Sequence, residues 1–225
     1  MPDSGSFLHW LKQNSKPMSR RTTAIAAALS VLALGSPLIT GCTNPLGIHY
    51  FNQGVEKYKA GNYQGAIDDY TKSIEMNSQN TDAYYNRAIA KYESDDYQGA
   101  IDDYTKALEI DPEIASAYYN RGFAKYDLGD YQGAIDDYTK AIEIDPENAS
   151  AYNNRGTNRG KLKDYQGAIA DLNKALEIDP EYASAYLNRG LARGLTKDLQ
   201  GACDDWRKAS GLGLKEPAEW VKKQC

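Results

Sequence analysis

The chain has 225 residues, 25% of them charged and 41% hydrophobic, with a formal net charge of −5. That balance excludes a disordered polyelectrolyte, and an acidic body with no basic stripe excludes an ordinary nucleic-acid binder. Two histidines, His9 and His49, and three scattered cysteines leave no cluster with metal-site spacing. No nucleophile–base pair or phosphate-cradling glycine loop is present either, so neither a cofactor nor an enzymatic activity is expected.

The front end comes first in chain order. Residues 1–41 hold Lys12, Lys16, Arg20 and Arg21 against Asp3, a surplus of three positive charges that leaves −8 on the remainder. An apolar run from Ala24 to Leu34 follows the arginines, then Gly35, Ser36, Pro37 and Leu38-Ile39-Thr40-Gly41-Cys42. A basic patch, a short apolar core and small residues before a cleavage point form a secretory signal. The Ile-Thr-Gly-Cys ending resembles the lipobox of bacterial lipoproteins. That resemblance implies lipidation of Cys42, residues 42–46 as a lipidated tether, and a membrane-anchored protein on the periplasmic, extracytoplasmic side. Met18 offers an alternative start for the signal. Two other readings stay open, an uncleaved N-terminal membrane anchor and a twin-arginine signal.

From residue 47 onward the sequence is periodic. DYQGAIDDYTKA stands at 96–107 and again at 130–141, with diverged copies at 62–73, 164–175 and 198–209, always 34 residues apart. The units are 47–80, 81–114, 115–148, 149–182 and 183–214. In the unit 115–148, Tyr118, Gly122 and Lys125 share one side of a first helix, and Gly129-Asp130 breaks it. Tyr131, Ala134, Ile135, Tyr138, Ala141 and Ile142 then recur at helical spacing until Pro146 ends the second helix. Small Gly122 and Ala134 permit close helix crossing, and the tyrosines are expected to fill the wedge between units. One such hairpin cannot bury its own apolar face, so the units stack.

This small–large alternation resembles the tetratricopeptide repeat (TPR). The resemblance implies an all-α, right-handed α-solenoid of five TPR hairpins, whose first helices line a concave groove. Departures are mild: Ser78 replaces the closing proline, and Leu172 and Trp206 replace the second-helix tyrosine. Position seven of the units reads Gln53, Arg87, Arg121, Arg155 and Arg189, while a carboxylate recurs at Asp69, Asp103, Asp137, Asp171 and Asp205. The unit lacking the arginine is the one with no unit before it. Each arginine is therefore expected to pair with the aspartate of the preceding repeat, Asp69 with Arg87 and so on.

The resemblance also places a peptide-binding surface on the first helices. Position six is Asn52, Asn86, Asn120, Asn154 and Asn188. A carboxamide offers an acceptor and two donors, so a row of them can clasp a peptide backbone without reading side chains. The row resembles the asparagine ladder of a glycosyltransferase TPR superhelix; the alternative is that the amides bond neighbouring helices. Aromatic and aliphatic residues stand beside it: Phe51, Tyr85, Tyr119, Ile89, Phe123, Tyr92 and Tyr126, giving way to Asn153, Thr157 and Gly160, then Leu187, Leu191 and Gly194, in the last two units. The first three repeats should carry most of the affinity. Position five never holds lysine and position nine never asparagine, so a carboxylate clamp for chaperone tails is not expected.

Residues 215–225 depart from the repeat and read as a capping helix with Trp220 and Val221 as its apolar side. Cys203 occupies the site held by isoleucine in the other units, facing that cap, and a Cys203–Cys225 disulfide is expected if Cys42 is lipidated. The reading is a membrane-tethered, extracytoplasmic scaffold that binds a protein or peptide segment in its groove. The alternative is a structural subunit or assembly factor of a cell-envelope complex, docking through its outer surface. Neither the partner nor the oligomeric state is legible.

Overall fold

A computed structural model describes residues 44–215, 217–218, 221–222 and 225. The segment 1–41 expected to be a signal, Cys42 and Trp220 lie outside the described residues.

Ten helices are described, joined in five hairpins. They are α1 (Pro45–Lys59) with α2 (Tyr63–Met76), α3 (Thr81–Glu93) with α4 (Tyr97–Ile110), and α5 (Ala115–Asp127) with α6 (Tyr131–Ile144). α7 (Ala149–Lys161) with α8 (Tyr165–Ile178) and α9 (Ala183–Leu195) with α10 (Leu199–Gly211) complete the series. Each helix packs on the one before and the one after it, so the units stack serially as an α-solenoid. First helices also touch one another, α1 with α3 and α7 with α9, which crowds them onto the inner side of the curve.

Local chemistry sets the hairpins. Asn62, Asp96, Asp130, Asp164 and Asp198 cap the second helices, each accepting from the amide of a glycine three residues on at 2.9–3.0 Å. The residue before each cap is left-handed: Gly61, Asp95, Gly129, Lys163 and Lys197. That one residue turns the chain back on itself.

Packing within a hairpin pairs one large residue with one small one. Tyr70, Tyr104, Tyr138, Leu172 and Trp206 are all at most 2% exposed and lie under Gly54, Ala88, Gly122, Gly156 and Gly190. A Cβ on Gly190 would stand 2.5 Å from Trp206 Nε1, so the indole occupies the space that a side chain there would need. Between hairpins, Ala90 packs on Ala66 and Tyr70 of the preceding unit, and Ala117 on Ala100 and Tyr104. The tyrosines thus fill both the hairpin and the seam.

The arginine–aspartate expectation is corrected. Arg87 grips Asp103 of its own repeat through Nε at 2.8 Å and Nη2 at 2.7 Å. Arg121 holds Asp137, Arg155 holds Asp171 and Arg189 holds Asp205 in the same fork. A second cation completes each site: Lys91, Lys125, Arg159 or Arg193. The bond to the preceding repeat runs instead from Nη1 to Thr71, Thr105, Thr139 or Asn173. The guanidinium also covers Tyr84, Tyr118, Tyr152 or Tyr186, 5.4–5.5 Å from the ring centre. The planar fork fits a carboxylate across the hairpin and leaves one donor for the seam. In the first unit, which has no seam behind it, Gln53 stands in the arginine's place and Lys57 holds Asp69.

At the far end Cys203 and Cys225 are bonded, their Cα atoms 5.8 Å apart. Pro217 is fully buried.

Candidate protein-interaction groove

The inner face is built from the first helices, α1, α3, α5, α7 and α9. The five asparagines at position six do not share one environment. Asn120 donates to Tyr85 Oη at 2.9 Å and Asn154 to Tyr119 Oη at 3.0 Å. Asn188 donates to Asn153 Oδ1 at 3.0 Å and to Thr157 Oγ1 at 3.1 Å. Those three amides tie one first helix to the next. The rung below them differs because Phe51 has no hydroxyl to receive a bond. Asn86 therefore turns to the Asp82 carbonyl of its own helix, at 2.8 Å. Asn52 is exposed on the first helix. Asn52 and Asn86 are thus the two members of the row that carry no bond between repeats.

The aromatic positions form a continuous half-buried strip. Tyr92 lies 5.2 Å from Tyr97 and 5.7 Å from Phe123, and Phe123 6.4 Å from Tyr126. Tyr85 and Tyr119 meet the buried Tyr104 and Tyr138 edge-on at 5.7 Å, and Phe51 meets Tyr70 at the same distance. Ile89 packs with Tyr85 and Tyr92 on the core of its unit. Burial pushes the hydroxyls of Tyr58 and Tyr119 up to about 12. Tyr92 is raised further by burial and then by its hydrogen bond to Asp127.

Two features of this face are absent from the sequence expectations. The first is a carboxylate at the end of the first helix in the second and third units. Tyr92 donates to Asp127, which stands 35 residues on, and Glu93, 35 residues beyond Tyr58, acts on that hydroxyl through its charge. Burial, then Asp95, lifts Glu93 above the ordinary carboxylate range. Lys161 occupies the corresponding place after Tyr126. The second is a polar knot in the fourth unit. Asn153 donates to Asn154, Thr157 donates to the Asn153 carbonyl, and Asn158 donates to the Asn154 carbonyl. Asn158 is 1% exposed and its Oδ1 meets no donor among the described residues. The sequence signal was Asn158 itself, standing where other units have Ala90, Ala124 and Ala192.

The outer face is different in kind. Asp68, Asp102, Asp136 and Asp204 are exposed and each accepts from a glutamine one turn earlier. This is a solvated helix surface with local pairs. Among the described residues no group of three His, Cys, Asp or Glu side chains could hold a metal ion, and no helix is long and apolar enough to cross a membrane.

Against solved structures the chain has many fold neighbours. The crystal structure of MamA protein is 26% identical, covers 79% of this chain and 94% of its own, and superposes with a TM-score of 0.71. YrrB, described as a TPR protein with an unusual peptide-binding site, is 22% identical over 79% of this chain and 92% of its own, with a TM-score of 0.70. PilF of Pseudomonas aeruginosa is 20% identical over 76% and 78%, with a TM-score of 0.66. No curated protein matches the chain. Family models described as tetratricopeptide repeat or TPR repeat match residues 54–95, 90–129, 115–148, 137–170 and 161–195, an unbroken run from 54 to 195. With the serial hairpins and that run of matches, the chain belongs to the tetratricopeptide repeat family.

Proposed function

We propose that this protein is a membrane-tethered, extracytoplasmic adaptor that holds an extended segment of another protein in the groove formed by its first helices. The observation that carries the reading is the half-buried aromatic strip of the first three units, flanked by Asn52 and Asn86. Aromatic rings supply contact area at small entropic cost, and an amide without a structural bond is available to a peptide group. Asn120, Asn154 and Asn188 serve first as ties between repeats, so the binding role centres on Asn52, Asn86 and the rings. YrrB gives a precedent for peptide binding on this fold. Tethering rests on the lipobox-like sequence before Cys42.

The test is crosslinking in intact cells, comparing the wild type with an Asn52→Ala/Asn86→Ala variant. Neither residue links repeats, so the melting temperature should hold while partner capture drops by about tenfold, the loss of roughly one or two amide hydrogen bonds. Undiminished capture overturns the groove reading in favour of docking through the outer surface. For the anchor, labelled fatty acid should be incorporated by the wild type and lost in Cys42→Ala; persistent labelling defeats the tether.

A further inference from the structure

We propose that the segment held in the groove is basic, with lysine or arginine side chains seated against Tyr92, Phe123 and Tyr126 between Glu93 and Asp127. This rests on the groove reading and adds the chemistry of the ligand. What carries it is the set of carboxylates on the inner helices that no structural cation holds. In α3 and α5 the cations Arg87, Lys91, Arg121 and Lys125 are all committed to Asp103 and Asp137. Lys57 and Lys59 of α1 are likewise held, by Asp69 and Glu56. Asp82, Glu93 and Asp127 remain, none with a cation partner. In α7 and α9 no such carboxylate remains, because neither helix contains an Asp or Glu and Lys161 stands where Glu93 and Asp127 stand.

The rings of the groove belong to the first three units, and these carboxylates stand in the second and third. Tyr92 lies against Phe123, Phe123 against Tyr126, and Asp127 accepts from the Tyr92 hydroxyl. A ring face beside a partly desolvated carboxylate is the pairing that favours a cation over an anion or a neutral group. The far half offers no such carboxylate, and Lys161 repels the same ligand. A basic segment is therefore positioned over the first three repeats rather than anywhere along the groove.

The experiment uses the full-length protein in detergent and two labelled peptides, a Lys/Tyr/Ser sequence and its Glu-for-Lys counterpart, read by fluorescence anisotropy. The basic peptide should bind at least about tenfold tighter, and Glu93→Gln/Asp127→Asn should remove about tenfold of that affinity without lowering the melting temperature. Both substitutes can still accept hydrogen bonds, so the Tyr92 contact survives. An outer-face control, Asp102→Asn/Asp136→Asn, should leave the affinity unchanged, which separates the groove from attraction to any acidic surface. Equal binding of the two peptides, binding of neither, or a control as damaging as the groove variant overturns the proposal. If the partner crosslinked in cells maps to the inner face through a neutral or acidic segment, the charge inference falls while the groove reading stands. If it maps to the second helices, both fall.

Discussion

The first three repeats and the last two share one backbone plan and differ on the face it presents. In both regions a large residue of the second helix sits under a small one of the first, and a buried aspartate sits between two cations. On the inner face, aromatic rings in the first three units and carboxylates without a cation in the second and third give way to Asn153, Thr157 and Gly160, then Leu187, Leu191 and Gly194, in the last two. Stacking constrains the positions that touch a neighbouring helix, because a change there must be matched across the seam. The inner positions are held by it only in part: Asn120, Asn154 and Asn188 are tied to the helix before them, whereas Asn52 and Asn86 are not. The comparison therefore separates residues that make the solenoid from residues that give it a ligand.

The largest way to break this comparison is alkaline titration. Tyr58, Tyr70, Tyr85, Tyr92, Tyr104, Tyr119, Tyr126 and Tyr138, all in the first three units, are raised chiefly by burial. Tyr182 is the raised tyrosine of the last two. An unfolded tyrosine loses its proton near pH 10, whereas folded Tyr58 and Tyr119 hold theirs to about 12. Above pH ~10 the unfolded state binds fewer protons, so stability is complete below that value and falls as pH rises towards the folded pKa. The N-terminal units should loosen first. In a Trp10→Phe/Trp220→Phe background, helical circular dichroism should drop before the emission of Trp206, which is buried in the fifth unit, changes. Coincident transitions would show that the two regions do not differ in this way.

Next in size is the buried carboxylate, and here the two regions should agree. Removing Asp137 leaves Arg121 and Lys125 facing each other at 16% and 20% side-chain exposure. Asp137→Ala and Asp171→Ala should each cost about 3–5 kcal/mol by urea unfolding. Asp69→Ala should cost about 1 kcal/mol, since Lys57 and Lys72 are 41% and 49% exposed and return to water. Equal costs at all three sites would mean that burial of the cations does not set the cost.

Some of this was legible in the chain and some was not, for geometric reasons. A 34-residue period with a fixed small–large pattern specifies stacked hairpins, and the described helices follow it. The partner of Arg87 was not recoverable, because Asp69 and Asp103 stand at similar sequence distances on either side. The missing arginine of the first unit suggested the earlier one. What that unit lacks is the seam, and with it a preceding Thr71-like acceptor, while the aspartate it would grip is present and held by Lys57. The asparagine row looked uniform for a similar reason. Whether an amide is tied depends on a hydroxyl 35 residues back, so Phe51 in place of tyrosine decides the state of Asn86. The roles of Glu93 and Asp127 were hidden in the same way, since they appear only when adjacent first helices are placed side by side.

The smallest expected effect concerns Asn158, where the fourth repeat departs from the rule that seam positions do not vary. Position ten is Ala90, Ala124 and Ala192 in other units, 0–5% exposed, and Ala90 and Ala192 pack on the unit before them. Asn158 fills that place with an amide whose Nδ2 bonds the Asn154 carbonyl at 2.8 Å while Oδ1 meets no donor. A buried acceptor without a partner costs about 1–3 kcal/mol, more than one amide bond to an already bonded helix carbonyl returns. Asn158→Ala should therefore stabilise the protein by about 1 kcal/mol, less whatever the smaller side chain loses in contact. The measurement is the urea midpoint at unchanged slope. A lower midpoint would mean that Oδ1 finds a donor in solution, and the polar knot of the fourth unit would then belong with the ligand-bearing face rather than with the frame.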